Sequence, residues 1–353
     1  MQEDRNYCAS CFLAYRTIID KSKVFTKAFK PYFEPVPTKR TKISNSTELH
    51  ASLKKQIEDK IKSGAKIALC LSGGIDSAIL AKLVPKGTVA YTFKCVVPGI
   101  EVTDESPRAA TYAKECGLEH RIIEIYWEDF EKFAPLLMKH KGAPIHSIEV
   151  QIYKAALRAK ADGFDTILLG ESADCIYGGL SNILSQDWTF GEFVDRYSYV
   201  LPYKALKNPV MDLTPFEKHE KNGYVDTHAV FGDLFFGEST NSYLNATKLA
   251  GVECFIPYAN TVMSQPLDLE RVRKGENKYL VREVFAKLYP GFVAPPKTPM
   301  PRPMNEWFKD WQGPTRPEFW PHCTDPMDGD QRWLVWCLEQ YLNLVDEAEH
   351  GKK

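Results

Sequence analysis

The 353-residue sequence holds no run of ~18 consecutive apolar residues, so nothing in it reads as a helix that crosses a bilayer. It opens on Met1-Gln2-Glu3-Asp4-Arg5, which is charged and lacks the apolar segment that would mark a secretory signal. Net charge is also lacking, at −1, so no overall field draws the chain to nucleic acid or an anionic membrane. A polynucleotide substrate is therefore disfavoured, although a local basic patch would escape this reasoning. Internal repeats and low-complexity tracts are missing. The nine cysteines form an odd set, and Cys70, Cys95, Cys116 and Cys337 lie inside apparent strands or helices. Buried free thiols in a reducing compartment explain that pattern better than a disulfide framework. The expectation is a cytoplasmic protein with no membrane partner.

What remains is a chain with material for a core, 44% hydrophobic and 26% charged. At about 150 residues per domain it allows two domains, or one large α/β unit with an appendage. Residues 1–45 read as an N-terminal extension, apolar from Tyr7 to Ile19 and then a proline- and lysine-marked linker from Pro31 to Lys42. Lys39-Arg40-Thr41-Lys42 is read as a solvated face. Residues 46–353 read as the main domain. Asn45 with Glu48 is a capping pair, and Leu49, Leu53, Ile57 and Ile61 repeat at helical spacing. Strands are expected at Ile67–Leu71, Thr88–Cys95, Arg121–Tyr126 and Asp165–Leu169. Helices are expected at Asp104–Cys116, Trp127–His140 and Ile148–Ala161. This alternation predicts an α/β fold, a parallel sheet flanked by helices, followed from about residue 181 by a mainly helical region.

The segment richest in chemistry is Ile67-Ala-Leu-Cys-Leu-Ser72-Gly73-Gly74-Ile75-Asp76-Ser77. An apolar strand runs into paired glycines, which turn tightly and let the backbone approach an anion. The helix after them offers free N–H groups and a positive dipole end. Ser72 and Ser77 add hydroxyls, and Asp76 could hold Mg²⁺ beside phosphates. A Walker P-loop would carry a lysine here, and none is present. The Ser-Gly-Gly-x-Asp-Ser form instead resembles the PP-loop of ATP pyrophosphatases, which cleave ATP between the α- and β-phosphates.

A second motif follows the strand Asp165–Leu169, namely Gly170-Glu171-Ser172-Ala173-Asp174-Cys175-Ile176-Tyr177-Gly178-Gly179. Its two acids, three residues apart, would share one side of a helix start. With both motifs, residues 46 to 310 resemble the synthetase domain of the asparagine synthetase family. Gly251-Val252-Glu253-Cys254-Phe255-Ile256-Pro257-Tyr258-Ala259-Asn260 matches a third segment of that family. Lys278-Tyr279-Leu280-Val281-Arg282 through Pro295-Pro296-Lys297 looks like its basic helix and lysine loop.

The resemblance implies a Rossmann-like PP-loop sheet of the adenine nucleotide α-hydrolase type and a ligase that uses ATP and Mg²⁺. In that family a carboxylate attacks the α-phosphate and pyrophosphate leaves; ammonia or an amine then attacks the acyl-adenylate, and AMP is released. By resemblance Ser72, Gly73, Gly74 and Ser77 cradle pyrophosphate, Asp76 and Asp174 hold the metal, and Lys297 neutralises the leaving charge. Glu171 takes a proton from the attacking nitrogen, and Leu71, Cys95, Leu169 and Gly170 contact the adenosine.

Departures from the family pattern shape the expected substrates. Gln2 stands where full-length relatives carry a catalytic cysteine, and residues 1–66 are too few for a glutaminase domain. Nitrogen is thus expected from free ammonia, an amine, or a separate glutaminase. Cys175, Phe255 and Asn260 replace charged family residues, which argues against aspartate and for a larger or less charged carboxylic acid. The competing reading is a PP-loop enzyme of tRNA or nucleobase modification, by thiolation or by lysidine- or deazapurine-type ligation. Cys8-Ala9-Ser10-Cys11 has zinc-knuckle spacing without a second pair, and packed thiols are the favoured reading. His146 sits where the family lines its acceptor pocket, and is otherwise a satisfied loop histidine. Trp307, Trp311, Trp320, Trp333 and Trp336 are read as packing of a helical cap.

Overall fold

The computed structural model describes residues 1–35, 37–296 and 299–351. Its main sheet is α/β in character and has five strands among the described residues: β1 (Ile67–Cys70), β2 (Val89–Cys95), β3 (Glu119–Ile125), β4 (Thr166–Leu168) and β5 (Glu253–Phe255). All pair in parallel, in the order β5-β4-β1-β2-β3. Every residue of β1 and β4 is buried, as strands covered on both faces must be. The Gly-Val-Glu segment supplies β5, which read as a motif rather than a strand. Glu253, Cys254 and Phe255 pair with Thr166, Ile167 and Leu168.

The chain order places the site. From β1 the chain winds outward through β2 and β3, then returns to put β4 on the other side of β1. The carboxyl ends of β1 and β4 therefore flank a point where the winding reverses, the crevice in which open parallel sheets bind ligands.

Helices cover both faces. They include α1 (Arg5–Tyr15), α2 (Ser46–Lys62), α3 (Ile75–Leu83), α4 (Ser106–Cys116), α5 (Trp127–Lys141), α6 (Ile148–Ala161), α7 (Ala173–Tyr177), α8 (Phe236–Ala250), α9 (Tyr279–Leu288) and α10 (Gly329–His350). The expected capping pair is present, with the Asn45 side chain accepting from Glu48 N at 2.9 Å. Leu49, Leu53 and Ile57 are buried on α2. The helix after the glycines begins at Ile75, which draws Asp76 into its first turn.

The first forty-odd residues carry more than a surface linker. Tyr7 to Tyr15 of α1 are all buried, and Gln2–Glu3 pairs in parallel with Lys23–Val24. Arg5 binds Asp346 at 2.9 Å and Glu349 at 2.6 Å on α10, tying the two ends of the chain together. Cys8 and Cys11 lie inside α1. Burial pushes their thiols up to about 12 and about 11, so both are held as neutral packing groups. Trp333 is buried and packs edge-on to Trp127 and Phe130, with Trp307 and Trp336 joining the cluster. Trp311 packs on Phe308, whereas Trp320 is exposed. No helix among the described residues is long and apolar enough to cross a membrane.

Candidate active site

The loop Ser72–Ser77 joins β1 to α3 and is braced by its own hydroxyls. Ser72 N donates to Ser77 Oγ at 3.0 Å, and Gly74 N donates to Ser72 Oγ at 3.1 Å. The second loop, after β4, meets it backbone to backbone. A Cβ on Gly170 would stand 2.9 Å from Ser77 N, so only glycine permits this approach. Glu171 follows, then Ser172 in a left-handed conformation (φ +72°), then Asp174 in the first turn of α7. A Cβ on Gly179 would fall 1.9 Å from Asp174 Oδ1. The paired glycines of the second motif thus leave room for a carboxylate, and Gly178 (φ +79°) also turns the chain out of α7.

Between the two acids stands a residue whose role the sequence did not disclose. Lys278 precedes α9, and its Nζ lies 2.7 Å from Asp76 Oδ2 and 2.9 Å from Asp174 Oδ1. Its side chain is 5% exposed. Burial alone would lower the ammonium's pKa, but the two carboxylates outweigh that and hold it above the ordinary lysine range. One turn later Arg282 donates to Asn277 Oδ1 at 2.7 Å. Tyr258, from the third motif, donates to the Asp76 carbonyl at 3.2 Å, and Tyr289 donates to the Ala78 carbonyl at 2.6 Å. The loop is held from below by tyrosines distant in sequence.

Glu171 is oriented from α8. Ser239 Oγ donates to its Oε1 at 2.9 Å, and the Tyr243 hydroxyl also engages it. Burial, with the Glu171 charge next to it, holds Tyr243 far above the usual phenol range, so it remains a neutral donor. Nothing in the α8 sequence marked these two residues.

Most of the sequence-predicted residues converge. Leu71, Ser72, Asp76, Ser77, Leu169, Gly170, Glu171 and Asp174 line one cavity of about 160 Å³. Gly73 and Gly74 line an adjoining one of about 70 Å³ together with Lys278, Arg108 and Arg282. Cys95 stands outside these walls, its Sγ donating to the Pro301 carbonyl at 3.2 Å. Thr92 and Phe93 are the β2 residues that line the cavity. Lys297 lies outside the described residues. His146 is buried beside a larger cleft of about 1000 Å³. Phe255 belongs to β5, and Asn260 donates to Gln56 Oε1 at 2.9 Å.

Asp76 and Asp174 converge on one point, shown by the single ammonium that bridges them. Two oxygen donors beside a phosphate cradle suit Mg²⁺, which is usually held by one or two carboxylates together with substrate phosphates. Among the described residues no group of three or more His, Cys, Asp or Glu forms a cage of its own. The residues therefore fit a metal that arrives with the nucleotide.

The sequence model of the asparagine synthase family matches residues 48–250. The chain belongs to the asparagine synthase family. A Methanocaldococcus jannaschii protein provisionally named asparagine synthetase (glutamine-hydrolyzing) 1 is 26% identical over 134 residues. That match takes in 37% of this chain and 24% of the relative, so the chain spans about a quarter of that protein's length. Among solved structures, the U34-tRNA thiolase NcsA from Methanococcus maripaludis, with its 4Fe-4S cluster, aligns at a TM-score of 0.31 and 15% identity, covering 85% of this chain and 79% of that one. A predicted subunit of tRNA methyltransferase from Methanocaldococcus jannaschii aligns at 0.23 and 13%, covering 63% and 86%. Likenesses this slight carry no argument about activity.

Proposed function

We propose that the protein is an AMP-forming amide ligase, which adenylates a substrate carboxylate and then joins it to ammonia or an amine. The observation that carries this reading is the opening of Glu171 onto the same cavity as Ser72, Asp76, Ser77 and Asp174. A general base for nitrogen attack thereby stands beside the place where the α-phosphate is activated.

In the first step an oxygen of the substrate carboxylate attacks the α-phosphorus. The bond to the β-phosphate oxygen breaks, and pyrophosphate leaves with that electron pair. N–H groups of the Ser72–Ser77 loop and the start of α3 meet the leaving anion, with the Lys278 ammonium beside them. Mg²⁺, held by Asp76 and Asp174, would supply further charge neutralisation for the phosphates. In the second step the nitrogen attacks the acyl carbon and passes a proton to Glu171, which Ser239 and Tyr243 hold in place. The amide forms as AMP departs. Nitrogen arrives as ammonia, free or from a separate glutaminase, or as an amine substrate.

The test is exchange of radiolabelled pyrophosphate into ATP, screened over a panel of carboxylic acids, with AMP measured after ammonia or amines are added. Acid-dependent exchange is expected. Exchange that appears only with tRNA or a nucleobase acceptor would place the enzyme with the modification enzymes instead.

A further inference from the structure

Asp76 and Asp174 stand on different helices, in the first turns of α3 and α7, and one ammonium answers both. Lys278 Nζ lies 2.7 Å from Asp76 Oδ2 and 2.9 Å from Asp174 Oδ1. These are ammonium distances, whereas Mg²⁺ takes its oxygen ligands at about 2.0–2.1 Å. A metal shared by the two carboxylates and an ammonium shared by the same two oxygens compete for one place, and two cations that close repel. The metal role of the aspartates and their bridge to Lys278 are therefore alternatives. One must give way to the other.

The surroundings let the lysine side chain move while its backbone stays. Arg282 donates to the Asn277 carbonyl at 2.8 Å and to Asn277 Oδ1 at 2.7 Å, which holds the chain one residue before Lys278. Lys278 itself takes a left-handed conformation (φ +52°) as the residue that leads into α9. What remains able to turn is its flexible four-carbon stem. That stem runs over Gly179, where a Cβ would stand 2.8 Å from Lys278 Cδ, so a residue with a side chain would crowd its path. Lys278 also lines the cavity of about 70 Å³, together with Gly73, Gly74, Asn277 and Arg282. On leaving the aspartates the ammonium thus has a place among the groups that would hold phosphate oxygens, and not an apolar wall.

We propose that Lys278 is a built-in stand-in for the metal: it bridges Asp76 and Asp174 in the protein without nucleotide, and yields their oxygens to a divalent cation when the phosphates of ATP draw the ammonium onto themselves. The swap keeps the two carboxylates answered by positive charge at each stage. It also sets an order of binding. The metal enters with the nucleotide or after it, and the nucleotide-free protein has little affinity for it. The same movement carries Lys278 to the place where pyrophosphate leaves. The proposal rests on the nucleotide reading of the Ser72–Ser77 loop, and not on which acid or nitrogen is joined.

The test titrates the full chain with Mn²⁺, whose electron paramagnetic resonance signal distinguishes free from bound ion. Wild-type protein without nucleotide should leave the added Mn²⁺ free. Lys278→Met should take up one Mn²⁺ about tenfold tighter or more, the size expected from the charge-assisted contacts removed. Adding Asp76→Asn to Lys278→Met should abolish that uptake. Mn²⁺ should also raise the urea midpoint of Lys278→Met and leave that of the wild type where it was. Uptake by the nucleotide-free wild type as tight as by Lys278→Met overturns the proposal. So does a Lys278→Met that gains no uptake, or one whose gain survives Asp76→Asn. Should Lys278→Met fail to fold, Lys278→Gln carries the same comparison, because it keeps a polar head and loses the charge. In the wild type alone, Asp76-dependent uptake without nucleotide still overturns the proposal. These titrations contain no acid and no amine, so they stand apart from pyrophosphate exchange. Exchange absent with every acid sinks the ligase reading alone; tight metal uptake by the nucleotide-free wild type sinks the lysine-for-metal swap alone.

Discussion

The phosphate end and the neighbouring cleft share a wall but are built by opposite means. At the phosphate end two loops leave adjacent strands, with Lys278 fixed between Asp76 and Asp174 at 2.7 and 2.9 Å. Around the cleft the polar groups come from separated stretches (Arg16, His146, Tyr199 and Glu238), and three polar atoms remain without partners among the described residues. The first is built from residues close to two strand ends, the second from residues that only the folded chain brings together.

The comparison breaks most sharply at Lys278. Lys278→Met leaves Asp76 and Asp174 facing one another, and pyrophosphate exchange should fall about a hundredfold or more. Urea unfolding should show a loss of about 3 kcal/mol, since removing one partner strands buried charge. Exchange at wild-type rate would mean that the lysine only stabilises. Glu171→Gln should separate the two chemical steps. Amide formation should drop by about a hundredfold while exchange falls much less, and equal losses would remove Glu171 from its base role.

On the cleft side the expected effects are smaller. Burial raises the Glu238 carboxyl from 4.5 to about 7, opposed by Arg16 and Lys141 and assisted by Glu149 and Glu171. The folded chain therefore keeps a proton that the unfolded chain releases between about pH 4.5 and 7. The stability due to this group declines as pH rises through that window and is level above it. Glu238→Gln should flatten this slope, read as the difference in urea midpoint between variant and wild type at about pH 5 and about pH 8. The difference is the proper readout because buried, neutral His146 contributes the opposite slope below 6.5. The smallest effect is expected at Ser172, a non-glycine residue at φ +72°. Ser172→Gly should raise stability by about 0.5–1 kcal/mol through relief of backbone strain, with exchange preserved.

Legibility followed locality. The strand-loop-helix grammar of Ile67–Ser77 and the Glu171–Asp174 pair could be read from residue order, because both motifs lie within one turn of a strand end. Helices α2, α5 and α6 were legible from apolar spacing. Strand β5 escaped because a three-residue edge strand has too little periodicity, and its pairing with Thr166–Leu168 is a long-range fact. Lys278 was visible in a basic segment, but nothing local said that it would be buried between two carboxylates. Ser239 and Tyr243 looked like ordinary residues of an amphipathic helix.

The sequence by itself determined the strand-loop-helix form of the phosphate-loop motif, the parallel α/β class and the family, because these rest on short-range geometry that neighbouring residues fix. Only the tertiary structure decided which lysine among the described residues joins the two aspartates, what orients Glu171, and that Arg16 stands in the cleft. Those facts depend on packing between segments tens to hundreds of residues apart. Burial sets both their distances and their charges there, and burial belongs to the folded chain.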